Sequence, residues 1–375
     1  ETDLVIATFG RGFYILDDYS PLRSGSKDIF EKPAHIFPIK DALMYMPGGG
    51  TSPESGSDGY RAPNPEYGAT FTYYIKDVPK TLKSIRKEKE RALSKDNKPI
   101  PVPSDDELKA EEQETPPYLI FTITDQAGNV VRKINRNASK GVQRINWDLR
   151  YQSFSPASVQ GKFNPVQGAA GRGGALAMPG KYKVSISMVS REGLKELAAP
   201  VEFNAVVLRN TTLPIADRAE LVAFQQKASQ LAQTIQATQR FLNELTARVE
   251  NIKASIGSST QGTYELYKKA EAIGFELDKI QLKFNRPSNR PSAEENPPSP
   301  VTINDRLSDM ASTHYRSTSA LTQNEKRSFE ILSEEFPPVL EQIKKIYNQD
   351  IKGLETELDK MNFPWSTGRI PELKK

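Results

Sequence analysis

From Leu221 to Ile256 the apolar residues fall in an unbroken three–four rhythm. Leu221, Phe224, Ala228, Leu231, Ile235, Thr238, Leu242, Leu245, Val249, Ile252 and Ile256 occupy the core-type positions. Side chains three and four apart share one face of an α-helix, so this spacing is the seam of a helix packed along its whole length against other helices. Taken from Leu213 to Ile256, the helix would be roughly 60 Å long at 1.5 Å per residue. A rod of that length is the spine of a helical hairpin or bundle. Such a seam is a packing device and carries no chemistry. It predicts that the last 160 or so residues are stacked rods, with no enclosed cleft where reactive groups meet.

The rest of the helical region follows the same logic. Pro214 suits a first helical turn and Thr212 an N-cap. A second helix is expected from Thr263 to Phe284, with Leu266, Ala270, Ile273, Leu277, Ile280 and Phe284 on one face. Residues 285–300 hold several prolines and read as a loop. A third helix runs over Ile303 to Ala320. Thr322 with Glu325 is a capping-box signature for a fourth, whose apolar face carries Phe329, Leu332, Phe336, Leu340, Ile343, Tyr347, Leu354, Leu358 and Met361. Pro337-Pro338 is expected to kink or break that helix near Phe336.

The N-terminal half reads as β-structure. In LVIATFGRGFYIL (4–16) two apolar runs flank Gly10-Arg11-Gly12, which predicts two short strands and a bend. A pair this short is marginal alone, so it must complete a sheet supplied by the following domain or by something outside the chain. Further strands are expected at Ala69–Ile75, Tyr118–Asp125, Val130–Ile134, Gly141–Trp147, Tyr182–Ile186 and Val201–Val207. In the Gly141–Trp147 strand, Gln143, Ile145 and Trp147 share a face, and Trp147 is a core residue. Asp77 to Thr115 is dense in charge and reads as an insertion, partly helical near Leu82 to Leu93 and mobile. The opening of the chain inside a strand pattern suggests a fragment of a longer protein.

Composition narrows the function. A chain of 375 residues holds two or three domains. The 51 Lys plus Arg barely exceed the 47 Asp plus Glu, and the excess is scattered, which argues against a nucleic-acid surface. The absence of cysteine excludes disulfides, thiolate metal sites and cysteine nucleophiles. No apolar run approaches the ~20 residues of a membrane helix.

Candidate chemistry is sparse. His35 and His314 are the two histidines, and neither has a second histidine at ligand spacing. Asp17 and Asp18 beside Arg11 form a carboxylate pair of the kind glycosidases use, but neighbours on a strand point apart, which favours a turn or capping role. Asp125 reads as a turn residue that would bind calcium only if other oxygens converge. The glycine runs at 48–50 and 171–174 lack the Lys-Ser/Thr and helix of a phosphate loop. Asn137 and Asn210 open glycosylation sequons. Tyr60, Arg61, Tyr73 and Tyr74 are the candidate lining of a carbohydrate or peptide groove, with plain sheet-surface aromatics as the simpler reading. No catalytic, cofactor or metal residue is assigned.

Two stretches carry a resemblance. DLVIATFGRGFYILDDYSPLR resembles the closing blade of the large β-propellers in bacterial BNR-repeat and sortilin-like proteins, many of them labelled glycosyl hydrolases. Gly10, Arg11, Gly12, Asp17 and Asp18 match the T-x-G-R-G…D-D pattern there, while the Asp-box S-x-D-x-G-x-T-W is absent. ITDQAGNVVRKI, GVQRINWDLR and PGKYKVSI are similar to the immunoglobulin-like sandwich that follows the propeller. The resemblance implies a multidomain β + α chain. Its parts would be propeller-closing strands (1–22), a linker (23–66), an immunoglobulin-like β-sandwich (67–208) with the charged insertion 77–115, and an antiparallel α-helical hairpin or bundle domain (209–375). It implies an exported protein, periplasmic or at the cell surface, whose C-terminal portion binds protein or peptide and pairs residues 1–18 with the missing propeller or another chain. Two alternatives stand beside it: an accessory region of a glycoside hydrolase whose active site lies in the propeller, and a structural subunit of an envelope complex.

Overall fold

The computed structural model describes residues 2–45, 65–153, 155–156, 163–168, 173–208, 215–287, 293–295, 298–312 and 320–371. The chain divides into two compact units, residues 1–153 with 159–219, and residues 154–158 with 220–375. The first is mostly sheet and the second is helical, so the fold is mixed α and β.

In the first unit, β1 (Leu4–Thr8) and β2 (Gly12–Leu16) form a hairpin, followed by the short helices α1 (Ser20–Ser24) and α2 (Lys27–Glu31). Then come β3 (Ala34–Ile36), β4 (Ala42–Met44) and β5 (Ala69–Ile75). The helices α3 (Leu82–Lys95) and α4 (Asp105–Gln113) precede β6 (Tyr118–Asp125), β7 (Val130–Asn137) and β8 (Gly141–Trp147). After α5 (Pro165–Gly168) the unit ends with β9 (Gly180–Ser190) and β10 (Gly193–Val207). One sheet has the order β4-β10-β9-β6-β7 and another β3-β5-β8. Their inner faces share one core, built from Phe71, Tyr73, Phe121, Ile145, Trp147, Val184 and Phe203 among others. Alternation explains the burial, because side chains on a strand change face at each residue. In β6, Leu119, Phe121 and Ile123 are fully buried and their neighbours less so. In β8, Ile145 and Trp147 face inward as their spacing requires.

Gly68 sets the start of β5. Its φ is +124°, and an added Cβ would lie 2.0 Å from the Trp147 carbonyl oxygen. Only glycine allows that approach. Two sequence expectations need correction here. β10 begins at Gly193, not Val201, because its first half pairs with the end of β9 across a tight turn at Arg191-Glu192. The charged insertion is two capped helices. The Thr81 hydroxyl accepts from the Ser84 amide, and Ser104 with Glu107 forms a capping box. Neither helix buries a residue. They are tied instead by Arg86, whose guanidinium donates to both Glu111 oxygens at 2.6 and 2.8 Å and to Glu90 at 2.6 Å.

The second unit contains α6 (Ile215–Gly257), α7 (Tyr264–Phe284), α8 (Ile303–Ser312), α9 (Gln323–Lys345), a π-helical turn (Ile346–Ile351) and α10 (Lys352–Lys360). Contacts fix their directions. Gly262 lies against Ile256, Gly274 against Val249, and Gln281 bonds Asn243, so α7 runs antiparallel to α6. Asn304 donates to Asn285 and to Gln239, which restarts α8 where α7 stopped. Lys326 meets Glu220, Phe329 meets Phe224, Tyr347 meets Phe241 and Glu355 meets Arg248. The last rod therefore runs parallel to α6, and the arrangement is up, down, up. The seam from Ala228 to Ile256 sits in the shared core of all three rods.

The last rod departs from the sequence reading in two ways. α9 is continuous through Pro337 and Pro338. The two prolines and the residues whose carbonyls they leave unbonded, Ser333 and Glu334, are all exposed. Their place on the solvent side leaves those carbonyls open to water, and burial of Leu332, Phe336 and Val339 on the opposite face holds the turn together. Pro338→Ala should therefore stabilise the unit by about 2–3 kcal/mol, the usual helix-interior penalty of proline. A urea melt checks this, and an unchanged midpoint would mean the prolines are already accommodated without penalty. The second departure is the π-turn. The buried positions Leu332, Phe336, Val339, Ile343 and Ile346 step by four and three, and the next, Ile351, is five away. Beyond the helix, Gly368 (φ +101°) abuts Arg248, which donates 2.8 Å to its carbonyl.

Candidate functional site

The groove suggested by four aromatic and basic residues does not assemble around its tyrosines. Tyr73 is buried in the sheet core, its ring 4.9 Å edge-on from Phe121. Tyr74 points the other way, half-buried, with its ring against Phe30 and its hydroxyl donating to the Phe30 carbonyl at 3.1 Å. Adjacent strand residues face opposite sides, so these two cannot line one surface. Tyr60 and Arg61 lie outside the described residues, as do His314, Asn210 and Gly48 to Gly50.

His35 is half-buried beside Phe37, with ring centroids 5.0 Å apart. Burial, with the charge of Lys32, pushes its imidazole below the ordinary value. Asp125 caps its own turn, accepting from the Asn129 amide at 2.8 Å and side chain at 3.0 Å. Burial opposes its charge, but these bonds and those from the Ala127 and Gly128 amides leave its pKa lowered. Among the described residues no three His, Asp or Glu side chains are grouped to hold a metal ion. No helix of the described residues is long and apolar enough to cross a membrane.

The feature that stands out is the β1–β2 hairpin. It pairs in register from Leu4–Leu16 to Thr8–Gly12 and forms a two-stranded sheet with no third strand among the described residues. The pairing places Leu4, Ile6, Tyr14 and Leu16 on one face and Val5, Ala7, Phe13 and Ile15 on the other. Both faces are apolar and both are open. Val5 is 59%, Ile15 62% and Phe13 77% exposed. Strands apolar on both faces are the kind found inside a fold, covered on two sides. In water a hairpin alone is marginal, and an apolar patch of this sort marks an interaction surface.

The base of the hairpin is held firmly. Asp18 takes a left-handed backbone (φ 50°), and its Oδ1 accepts from the Ser20 amide and hydroxyl at 3.3 and 2.6 Å. Arg144, on the outer face of β8, donates to the carbonyls of Asp17 and Asp18 at 2.7 and 2.5 Å. Lys40 reaches Asp18 at 3.3 Å and Asp3 at 3.7 Å. The Asp18 amide, ahead of Lys40, holds the Asp3 carboxyl below the usual range. These groups border a polar recess of about 410 Å³. Asp17 and Asp18 thus serve a turn and an anchor, past the end of the strand at Leu16 rather than on it. Arg144 was not singled out by sequence. Its signal was modest: an arginine on the outward face of a strand whose other face is core.

No protein family, curated protein or solved structure matches this chain.

Proposed function

We infer that this chain is a non-catalytic portion of an exported, multidomain protein that acts in protein or peptide binding and assembly. In this reading the hairpin supplies closing strands to a β-propeller of the BNR-repeat or sortilin-like kind. The two sheets of the first unit are its immunoglobulin-like sandwich, and the three rods brace the assembly. The observation that carries the reading is the hairpin: eight apolar side chains open on two faces, on a base clamped by Arg144 and Lys40. A clamped base lowers the entropy lost on docking, because the strand pair is already aimed. The resemblance of residues 3–23 to a closing blade supports the same partner.

The test is amide hydrogen exchange on β1 and β2. In the isolated chain the outward-facing edge amides, which have no third strand to bond among the described residues, should exchange nearly as fast as an unstructured peptide. Joined to blade-forming polypeptide, they should slow by about 100-fold or more. Strong protection of the hairpin in the isolated monomer would sink the reading, because the strands would then already have their cover. Lysine in place of Ile6 and Ile15, one on each face, should abolish docking and leave the melting of the rest of the chain unchanged.

A further inference from the structure

A second feature stands apart from the hairpin and lies in the helical unit. Where α7 ends and α8 begins, the chain leaves a cleft of about 720 Å³ against the side of α9. Its walls are mainly apolar, with Leu282, Val301, Ile303 and Val339 joined by the prolines at 287, 298 and 300. Leu282 and Val301 are about half exposed, so apolar surface is open to a ligand. The volume falls in the range of small-ligand pockets, roughly 300–1,000 Å³.

The charges in the cleft are unevenly matched. Lys283, Arg286 and Arg306 face one carboxylate, Glu335. Arg286 is engaged by Asp305, at 3.0 Å. Arg306 is held more loosely, in a long ion pair with Glu335. Its Nε is buried without a hydrogen-bond partner, and the nearest Glu335 oxygen is 3.9 Å away, beyond hydrogen-bond reach. The side chain as a whole keeps 24% of its surface open, and a carboxylate is the group that meets a guanidinium's planar fork two bonds at a time.

We propose that this cleft binds an apolar chain ending in a carboxylate, with the chain against Leu282, Val301, Ile303 and Val339 and the carboxylate on Arg306. Lys283 at the rim adds attraction for the same charge. A dianionic phosphate fits less well, because Glu335 opposes the second charge. Two sources share the chemistry: a fatty carboxylate and the free C-terminus of a hydrophobic peptide.

Calorimetric titration of the full chain tests this with octanoate against octan-1-ol, and with acetyl-Ala-Leu-Val-Leu bearing a free or an amidated C-terminus. Saturable 1:1 binding is expected, with each carboxylate about ten-fold or more tighter than its neutral counterpart. The tighter of the two acids identifies the source. Arg306→Gln should remove that preference. Val301→Trp, at an exposed wall position, should block both acids while leaving the melting temperature unchanged. The proposal is overturned if neither acid saturates, if the neutral analogues bind equally well, or if both variants bind like the parent chain. Should Arg306→Gln fail to fold, the acid-to-neutral comparison and Val301→Trp still decide.

Discussion

Trp147→Ala is expected to destabilise the sheet unit by about 3–5 kcal/mol, the range for removing a buried aromatic ring. The ring is completely buried and lies edge-on to Tyr182 and Phe203, with centroids 5.1 and 5.9 Å away. These rings come from β8, β9 and β10, so one side chain joins strands of both sheets. Truncation opens a cavity that its two aromatic neighbours cannot collapse to fill. It also removes the indole N–H that donates 2.9 Å to the Arg150 carbonyl, which adds the penalty of a buried acceptor left unmet. For a unit of this size the melting temperature should fall by on the order of 10 °C. Val142→Ala on the outer face of the same strand is the control and should change stability by less than about 0.5 kcal/mol. A Trp147→Ala variant melting within 1 kcal/mol of the parent would show that the two sheets do not depend on a common core.

How much of this could be read from residues depended on whether the information was local. The rhythm from Leu221 to Ile256 is a direct record of one helix face, and Ala228, Ile235, Leu242, Leu245, Val249, Ile252 and Ile256 are all buried. The double apolar run of residues 4–16 likewise announced a hairpin in need of cover, because no solvated strand pair keeps both faces apolar. Failures came where a local rule met a wider context. Pro337-Pro338 breaks a helix only if its freed carbonyls lack water, and here they belong to exposed residues. The caps at Thr81 and Ser104 were present in the sequence, but dense charge masked them. Tyr73 and Tyr74 were paired as a surface although strand alternation separates them. The cleft beside Arg306 arises from where one helix stops and another restarts, and no periodicity encodes that. Arg144 belongs to the same class, since its partners lie 126 and 127 residues away.

The π-turn offers the sharpest test of the bundle, through two single-residue deletions with opposite expected outcomes. A π-turn holds one residue more than an α-turn over the same stretch of rod, so it absorbs an insertion without rotating the helix beyond it. Between Ile346 and Ile351 the seam takes a step of five, and Gln349 lies within that step on the exposed side. Deleting Gln349 turns the step into four, the ordinary α-helical interval. Leu354 and Leu358 should keep their places in the core, Glu355 should keep Arg248, and stability should stay within about 1 kcal/mol of the parent. Deleting Gln239 from α6 has no such reserve. Every residue beyond it turns by one position, about 100°, and Leu242, Leu245, Val249, Ile252 and Ile256 leave the core together. At roughly 1.5–3 kcal/mol for each buried aliphatic side chain, the loss is on the order of 10 kcal/mol, comparable to the whole stability of a typical domain. Circular dichroism should therefore show full helicity and a cooperative melt for the first deletion, and loss of the cooperative helical melt for the second. If removing Gln349 proved as damaging as removing Gln239, the five-residue step would not be the device that keeps the last rod in register, and the buried faces on either side of it would have to be held in place by something other than their own spacing.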